Sequence, residues 1–125
     1  MQHQNITHQI IAAAYEVHNT LGGGFLEKVY ENALFLELKS RKIAVQQKLS
    51  VPVFYKGLQV GDYIADLLVD HKIILELKAV ENLHPMHEAQ LVNYLTGTGL
   101  DIGLLINFGK SVEVKRKYRV YTAKG

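Results

Sequence analysis

The sequence predicts an α/β fold, a sandwich with a central mixed β-sheet flanked by α-helices. Three observations carry this: apolar residues at helical spacing in three segments, Ile-, Leu- and Val-rich runs of strand length between them, and the chain order helix, helix, meander, helix, two strands. With 125 residues, 48% hydrophobic content and no low-complexity run or internal repeat, residues 1–125 fit one domain with its own core. No apolar run is long enough to span a bilayer, and the start Met1-Gln2-His3-Gln4-Asn5 does not read as a secretory signal. A cytoplasmic protein with no membrane partner is the expectation. Without cysteine, disulfides and thiolate metal sites are excluded.

Asn5 stands where it could cap a first helix whose apolar positions Ile6, Ile10, Ala13, Ala14 and Val17 share a face. That helix should stop near Leu21, where Gly22-Gly23-Gly24 permits a left-handed cap and a sharp reversal. The glycine run follows no strand and lacks a Walker-type Lys-Ser/Thr, so it reads as a turn rather than a phosphate cradle. A second helix is predicted from about Phe25 to Ser40. On its wheel Glu27 lines up with Tyr30, Glu31, Leu34 and Leu38, so the acid shares a stripe with residues that should face the core. An acid there needs a metal, a base or a donor, unless it is a first-turn acid favoured by the helix dipole.

From Ile43 to Tyr55 the chain reads as extended, with Pro52 marking an edge or a bulge. Lys56-Gly57 turns it, and a short arm from Leu58 to Val60 leads through Gly61 into the central stretch, Tyr63 to Ala79. After a loop to Pro85, a helix from about Met86 to Thr96 should end at Gly97 and Gly99, with Gln90 and Tyr94 one turn apart. His84 and His87 have no third ligand at zinc-motif spacing. Ile102 to Phe108 reads as a buried strand, and Val112 to Tyr121 as a strand with one wet face.

In the central stretch two apolar runs meet at Asp70-His71, which predicts an antiparallel hairpin. Side chains alternate between faces, so register decides the chemistry. A two-residue turn at Asp70-His71 would bury Asp66 among Ile73, Leu75 and Leu77 without a partner, at a cost on the order of several kcal/mol. An odd loop centred on His71 instead sets Asp66 across from Glu76, with Ile64, Leu68, Ile74 and Lys78 on the same face. The opposite face is then apolar throughout: Tyr63, Ala65, Leu67, Val69, Ile73, Leu75, Leu77 and Ala79. This second register is the one expected. Close carboxylates repel unless a cation lies between them, and oxygen ligands suit a hard divalent ion such as Mg²⁺. The competing account is an ordinary ion pair on a solvent-facing sheet.

Net charge is +2, unevenly spread: Lys110 to Gly125 holds six basic residues and one acid, or +5, leaving −3 for the rest. The basic strand could meet phosphates, or could use its charges to block edge-to-edge pairing.

These residues resemble a known family. Gly24-Phe-Leu-Glu27-Lys-Val-Tyr30 matches the Gly-x-x-Glu-x-x-Tyr signature of the GxxExxY proteins. Ala65-Asp66-Leu-Leu-Val, Leu75-Glu76-Leu-Lys78-Ala, Ala89-Gln90-Leu-Val-Asn-Tyr94-Leu and Gly103-Leu-Leu-Ile-Asn107-Phe108-Gly follow the rest of the pattern in order. The resemblance covers roughly Ile6 to Arg119 and implies membership of the PD-(D/E)XK nuclease superfamily, with its restriction-endonuclease-like fold. It implies Asp66, Glu76 and Lys78 as the catalytic core, Glu27 as a helical acid at the metal, and Gln90 with Tyr94 as an auxiliary helix motif. A basic residue expected where Ile64 stands is missing.

On this resemblance the expected activity is Mg²⁺- or Mn²⁺-dependent hydrolysis of DNA or RNA. Asp66, Glu76, the Leu77 main-chain carbonyl and Glu27 would hold the metal, Lys78 would stabilise the charged transition state, and Gln90 would orient water or substrate. Tyr30, Tyr94, Lys115, Lys117 and Arg119 would meet nucleic acid. The alternative is a catalytically silent nuclease-fold module that binds nucleic acid or a protein, and a homodimer paired through the Val112 to Tyr121 edge is compatible with either.

Overall fold

Each element forms where its apolar spacing meets a residue able to end it. The structure is a computed structural model that describes residues 4–120; Tyr121, the expected end of the last strand, and the basic Lys124 lie outside them. Helix α1 (Gln4–Leu21) buries Ile10, Ala13, Ala14 and Val17 along one face. It starts at Gln4, so Asn5 lies inside the helix rather than capping it. Its end is the predicted one: Gly22, at φ 78°, donates its N–H to the His18 carbonyl at 2.8 Å.

Helix α2 (Glu27–Ser40) begins two residues later than expected, because Leu26 is extended at φ −68° and ψ 154°. Tyr30 secures this entry. Its hydroxyl donates to the Gly22 carbonyl at 2.6 Å and accepts from the Phe25 N–H at 3.3 Å, while its ring stacks on Phe108 with centroids 4.7 Å apart. The residue is fully buried, which corrects its assignment to a nucleic-acid surface. Tyr30 ties the glycine turn to the core instead.

Five strands follow the helices: β1 (Val45–Tyr55), β2 (Leu58–Val69) and β3 (Ile73–Lys78), then, after α3 (Pro85–Thr98), β4 (Ile102–Phe108) and β5 (Val112–Tyr118). They form one sheet in sequence order. Only β3 and β4 are parallel, as the crossover through α3 requires. Lys56 and Gly57, at φ 50° and 81°, make the two-residue turn between β1 and β2. Pro52 sits on the edge strand β1, beside a register slip between Val53 and Phe54.

Helix α3 runs through Gly97, where the sequence suggested a stop. A Cβ there would meet Val53 Cγ1 at 2.9 Å, so this glycine serves a close approach of helix to sheet. Gly99, at φ 79°, ends the helix. At its start the His84 Nδ1 accepts from the Met86 N–H at 3.0 Å, and the His87 Nδ1 accepts from the His84 N–H at 3.3 Å. The two histidines are therefore caps.

Helices α1 and α2 cover Leu67, Val69, Ile73, Leu75, Leu77, Leu104 and Ile106 on one face of the sheet. Helix α3 covers Leu68, Ile74 and Leu105 on the other. Tyr63 and Ala65 also pack on the α3 side, not with Leu67 as strict alternation predicts, and Ile64 is exposed. The faces of β2 exchange at Asp66. Among the described residues no helix is long and apolar enough to cross a membrane.

Removing the Tyr30 hydroxyl leaves the Gly22 carbonyl without its donor. Tyr30→Phe should lower unfolding free energy by about 1–2 kcal/mol, read from a denaturant titration.

Candidate active site

The β2–β3 ladder is short, running only from Val69↔Ile73 to Leu67↔Leu75. Its register is the predicted one. The loop is odd, Asp70-His71-Lys72, with Asp70 and His71 at φ 55° and 57° and the Lys72 N–H on the Val69 carbonyl at 3.0 Å. One rung further on, Asp66 faces Glu76, yet the backbones do not close there. The Leu77 N–H donates instead to Asp66 Oδ2 at 2.9 Å. A carboxylate has replaced a main-chain acceptor, and the two strands part around it.

A second irregularity lies directly across the sheet. The β1–β2 register passes from Gln47↔Leu67 to Leu49↔Ala65 without pairing Lys48 to Asp66. Lys48 is left-handed at φ 54°, a conformation that costs a non-glycine residue about 1–2 kcal/mol. This kink explains the exchange of faces in both strands: Val45 packs toward α1 and α2, whereas Leu49 and Val53 pack toward α3.

The kink aims the Lys48 ammonium at two acids, Asp66 Oδ1 at 2.9 Å and Glu31 Oε1 at 3.2 Å. Glu31 is the buried acid of α2, with 2% of its side chain exposed, and its other oxygen accepts from Gln47 Nε2 at 2.8 Å. The helical wheel had already placed Glu31 on the core stripe beside Glu27. Glu27 itself is exposed at the first turn, where partial desolvation raises its carboxyl above the ordinary range and Lys78 pulls it back.

Glu76 has the most perturbed environment of the acids. Burial first, and then the adjoining Asp66 carboxyl, push it from its ordinary 4.5 up to about 8, with Tyr63 and Lys78 opposing. The Tyr63 hydroxyl is buried beside Glu76 without closing a hydrogen bond of good geometry, and desolvation drives its pKa upward. Its ring stacks on Tyr94 with centroids 4.0 Å apart, which links α3 to this corner. The hydrogen bond that Lys48 donates to Asp66 holds its ammonium above its ordinary pKa. Desolvation and the field of Lys78 both lower His87, so the first turn of α3 also senses the site.

The structure thus draws together Glu27, Asp66, Glu76 and Lys78, and adds Glu31, Lys48 and Tyr63, which sequence reasoning did not select. Gln90 is exposed on α3, one turn before Tyr94. The basic strand is largely committed elsewhere. Lys117 Nζ meets Glu88 at 2.7 Å and Arg119 Nε meets Asp101 at 3.0 Å, pairs that fasten β5 to α3 and to the loop after it. Lys115 is half-buried and acts electrostatically on Glu88.

A mixed sheet in this order, with acids and a lysine at the point where two central strands diverge, defines a nuclease-type α/β scaffold. The chain belongs to the PD-(D/E)XK nuclease superfamily, whose family model matches residues 4–119. Among solved structures it is similar to SSO0001, at 16% identity and a TM-score of 0.60 over 76% of this chain and 50% of that one. This likeness is one of fold, and the chain spans half the length of that protein. An alkaline exonuclease (LHK-Exo) from Laribacter hongkongensis superposes at a TM-score of 0.49, with 11% identity over 86% of this chain and 76% of that one. No curated protein matches.

The environment of Glu76 has a consequence for stability. Below its ordinary 4.5 the carboxyl is protonated in both folded and unfolded chains; between there and about 8 only the folded chain holds the proton. Its stabilising contribution is therefore full below the lower value and is lost as pH rises through the upper one. The thermal midpoint of the metal-free protein should fall from pH 5 to pH 9, and Glu76→Gln should remove much of that fall, as followed by circular dichroism.

Proposed function

We propose that this protein is a metal-dependent nuclease hydrolysing phosphodiester bonds of DNA or RNA. The observation that carries the reading is the adjacency of the Asp66 and Glu76 carboxyls, with Lys78 two residues beyond Glu76. Membership of the nuclease superfamily supports it.

The donor set fits a divalent ion. Burial and the neighbouring Asp66 carboxyl together keep Glu76 protonated near neutrality, and a cation between the two carboxyls would relieve their repulsion. Among the described residues no three acid or imidazole groups form a ready cage. That is compatible with Mg²⁺, which commonly takes one or two carboxylates and completes its shell with waters and substrate phosphate. Asp66, Glu76 and the Leu77 main-chain carbonyl would hold Mg²⁺ or Mn²⁺, with Glu27 bound directly or through water. When bound, the ion supplies Lewis acidity at the phosphate and favours ionisation of the attacking water.

The chain's own groups do the rest. Lys78 offsets negative charge gathering on the phosphate in the transition state. Gln90 can donate and accept, so it can align a water or a phosphate oxygen. The stacked Tyr63 and Tyr94 rings border the Glu76 side of the site. Lys115 and the solvent-facing part of the β5 strand attract the phosphate backbone.

One observation favours the silent-module alternative: both Asp66 oxygens already have partners within the chain, Lys48 and the Leu77 N–H. A panel of DNA and RNA substrates with Mg²⁺ and Mn²⁺ decides between the two. Cleavage should occur with the parent and drop at least about 100-fold in Lys78→Ala and Glu76→Ala, with the circular dichroism spectrum retained. No cleavage of any substrate with either metal sinks the enzyme reading.

A further inference from the structure

Lys48 occupies an unusual position. It is a non-glycine residue held left-handed in the middle of a strand, at φ 54°, on a rung where β1 and β2 do not pair. What it gains there is contact with two acids: 2.9 Å to Asp66 Oδ1 and 3.2 Å to Glu31 Oε1. Neither acid is well solvated, with 12% and 2% of their side chains exposed, whereas Lys48 is 46% exposed. The other Asp66 oxygen is taken by the Leu77 N–H. The ammonium therefore stands at the one Asp66 oxygen not fixed to the backbone.

We propose that Lys48 is a positioning residue that acts as a built-in counter-ion, holding Asp66 and Glu31 together in the metal-free protein and competing with the divalent cation for Asp66. The inference rests on the reading of Asp66 as a metal ligand. An ammonium and a divalent ion on the same carboxylate repel each other, so entry of the ion requires Lys48 to withdraw. Glu31 makes withdrawal inexpensive: Lys48 gives up one partner and keeps the other, and its half-exposed chain has room to move. A lysine that served only as a static ion pair would leave metal affinity unchanged or, if its loss loosened Asp66, would weaken it on removal.

Calorimetric titration of Mn²⁺ into the parent, Lys48→Gly, Lys48→Met and Asp66→Asn tests this. Glycine suits the left-handed backbone, so Lys48→Gly removes the ammonium while relieving the kink, and it is the deciding variant. It should bind Mn²⁺ about 10-fold more tightly than the parent, the size of effect expected from freeing an oxygen held by a charge-assisted hydrogen bond, with Lys48→Met following. Asp66→Asn should lose binding. If Lys48→Gly binds no more tightly while Asp66→Asn still loses binding, the counter-ion role is overturned and Asp66 remains a ligand. If Asp66→Asn binds as the parent does, or none of the four binds, both readings fall. In the unaltered chain, the Lys48 side-chain NMR resonance should shift as Mg²⁺ is added and saturate with binding. A resonance that stays fixed while Mg²⁺ binds elsewhere in the spectrum overturns the proposal without any substitution.

Discussion

One hydrogen bond organises this molecule: the Leu77 N–H to the Asp66 carboxylate, across the point where a strand ladder would otherwise continue. A main-chain donor buried at that position must find an acceptor. Because the acceptor is a side chain, β2 is released from β3 and remains paired with β1 alone. The split that results is where Glu76 and Lys78 leave the core and where α2 brings its acids. Sheet geometry and site chemistry are thus settled by the same contact.

The site balances charge across a half-buried corner. Glu27, Glu31, Asp66 and Glu76 face the ammonium groups of Lys48 and Lys78, with Lys28 reaching Glu31 at 3.5 Å from a largely exposed position. The acids outnumber the cations, and the shortfall falls on Glu76, which no lysine contacts directly at ion-pair distance among the described residues. Burial, and then the neighbouring Asp66 carboxyl, push that group upward, whereas Glu31 has Lys48 and Gln47 as close donors. The two acids thus differ in their partners as well as in their burial.

Much of this was legible in the sequence, for definite reasons. The register of the central hairpin followed from the cost of burying Asp66 among Ile73, Leu75 and Leu77, and the odd loop about His71 realises it. The end of α1 at Gly22 followed from backbone freedom. Other features depend on tertiary contacts that no local pattern encodes. Gly97 reads as a helix stop until Val53 is placed against it. The helical wheel set Tyr30 on the core stripe, but its hydroxyl bond to the Gly22 carbonyl and its stack on Phe108 appear only when the turn and β4 are placed against it. Alternation put Tyr63 and Ala65 on the wrong side because a single left-handed residue on the neighbouring strand, Lys48, reverses the pleat. Glu31 was visible on the helical wheel, but only the position of Lys48 gives it a purpose.

The long hairpin of β1 and β2 reaches well past this corner. Beyond Val53 the two strands are joined by the tight Lys56-Gly57 turn, and Phe54, Tyr55, Leu58 and Val60 lie open to solvent. A slip in pairing already separates that outer end from the inner rungs. A change of length in this solvent-exposed ribbon falls beyond the slip, on the far side from the inner rungs that hold Asp66, so the register beside the carboxylates does not depend on how far the hairpin extends.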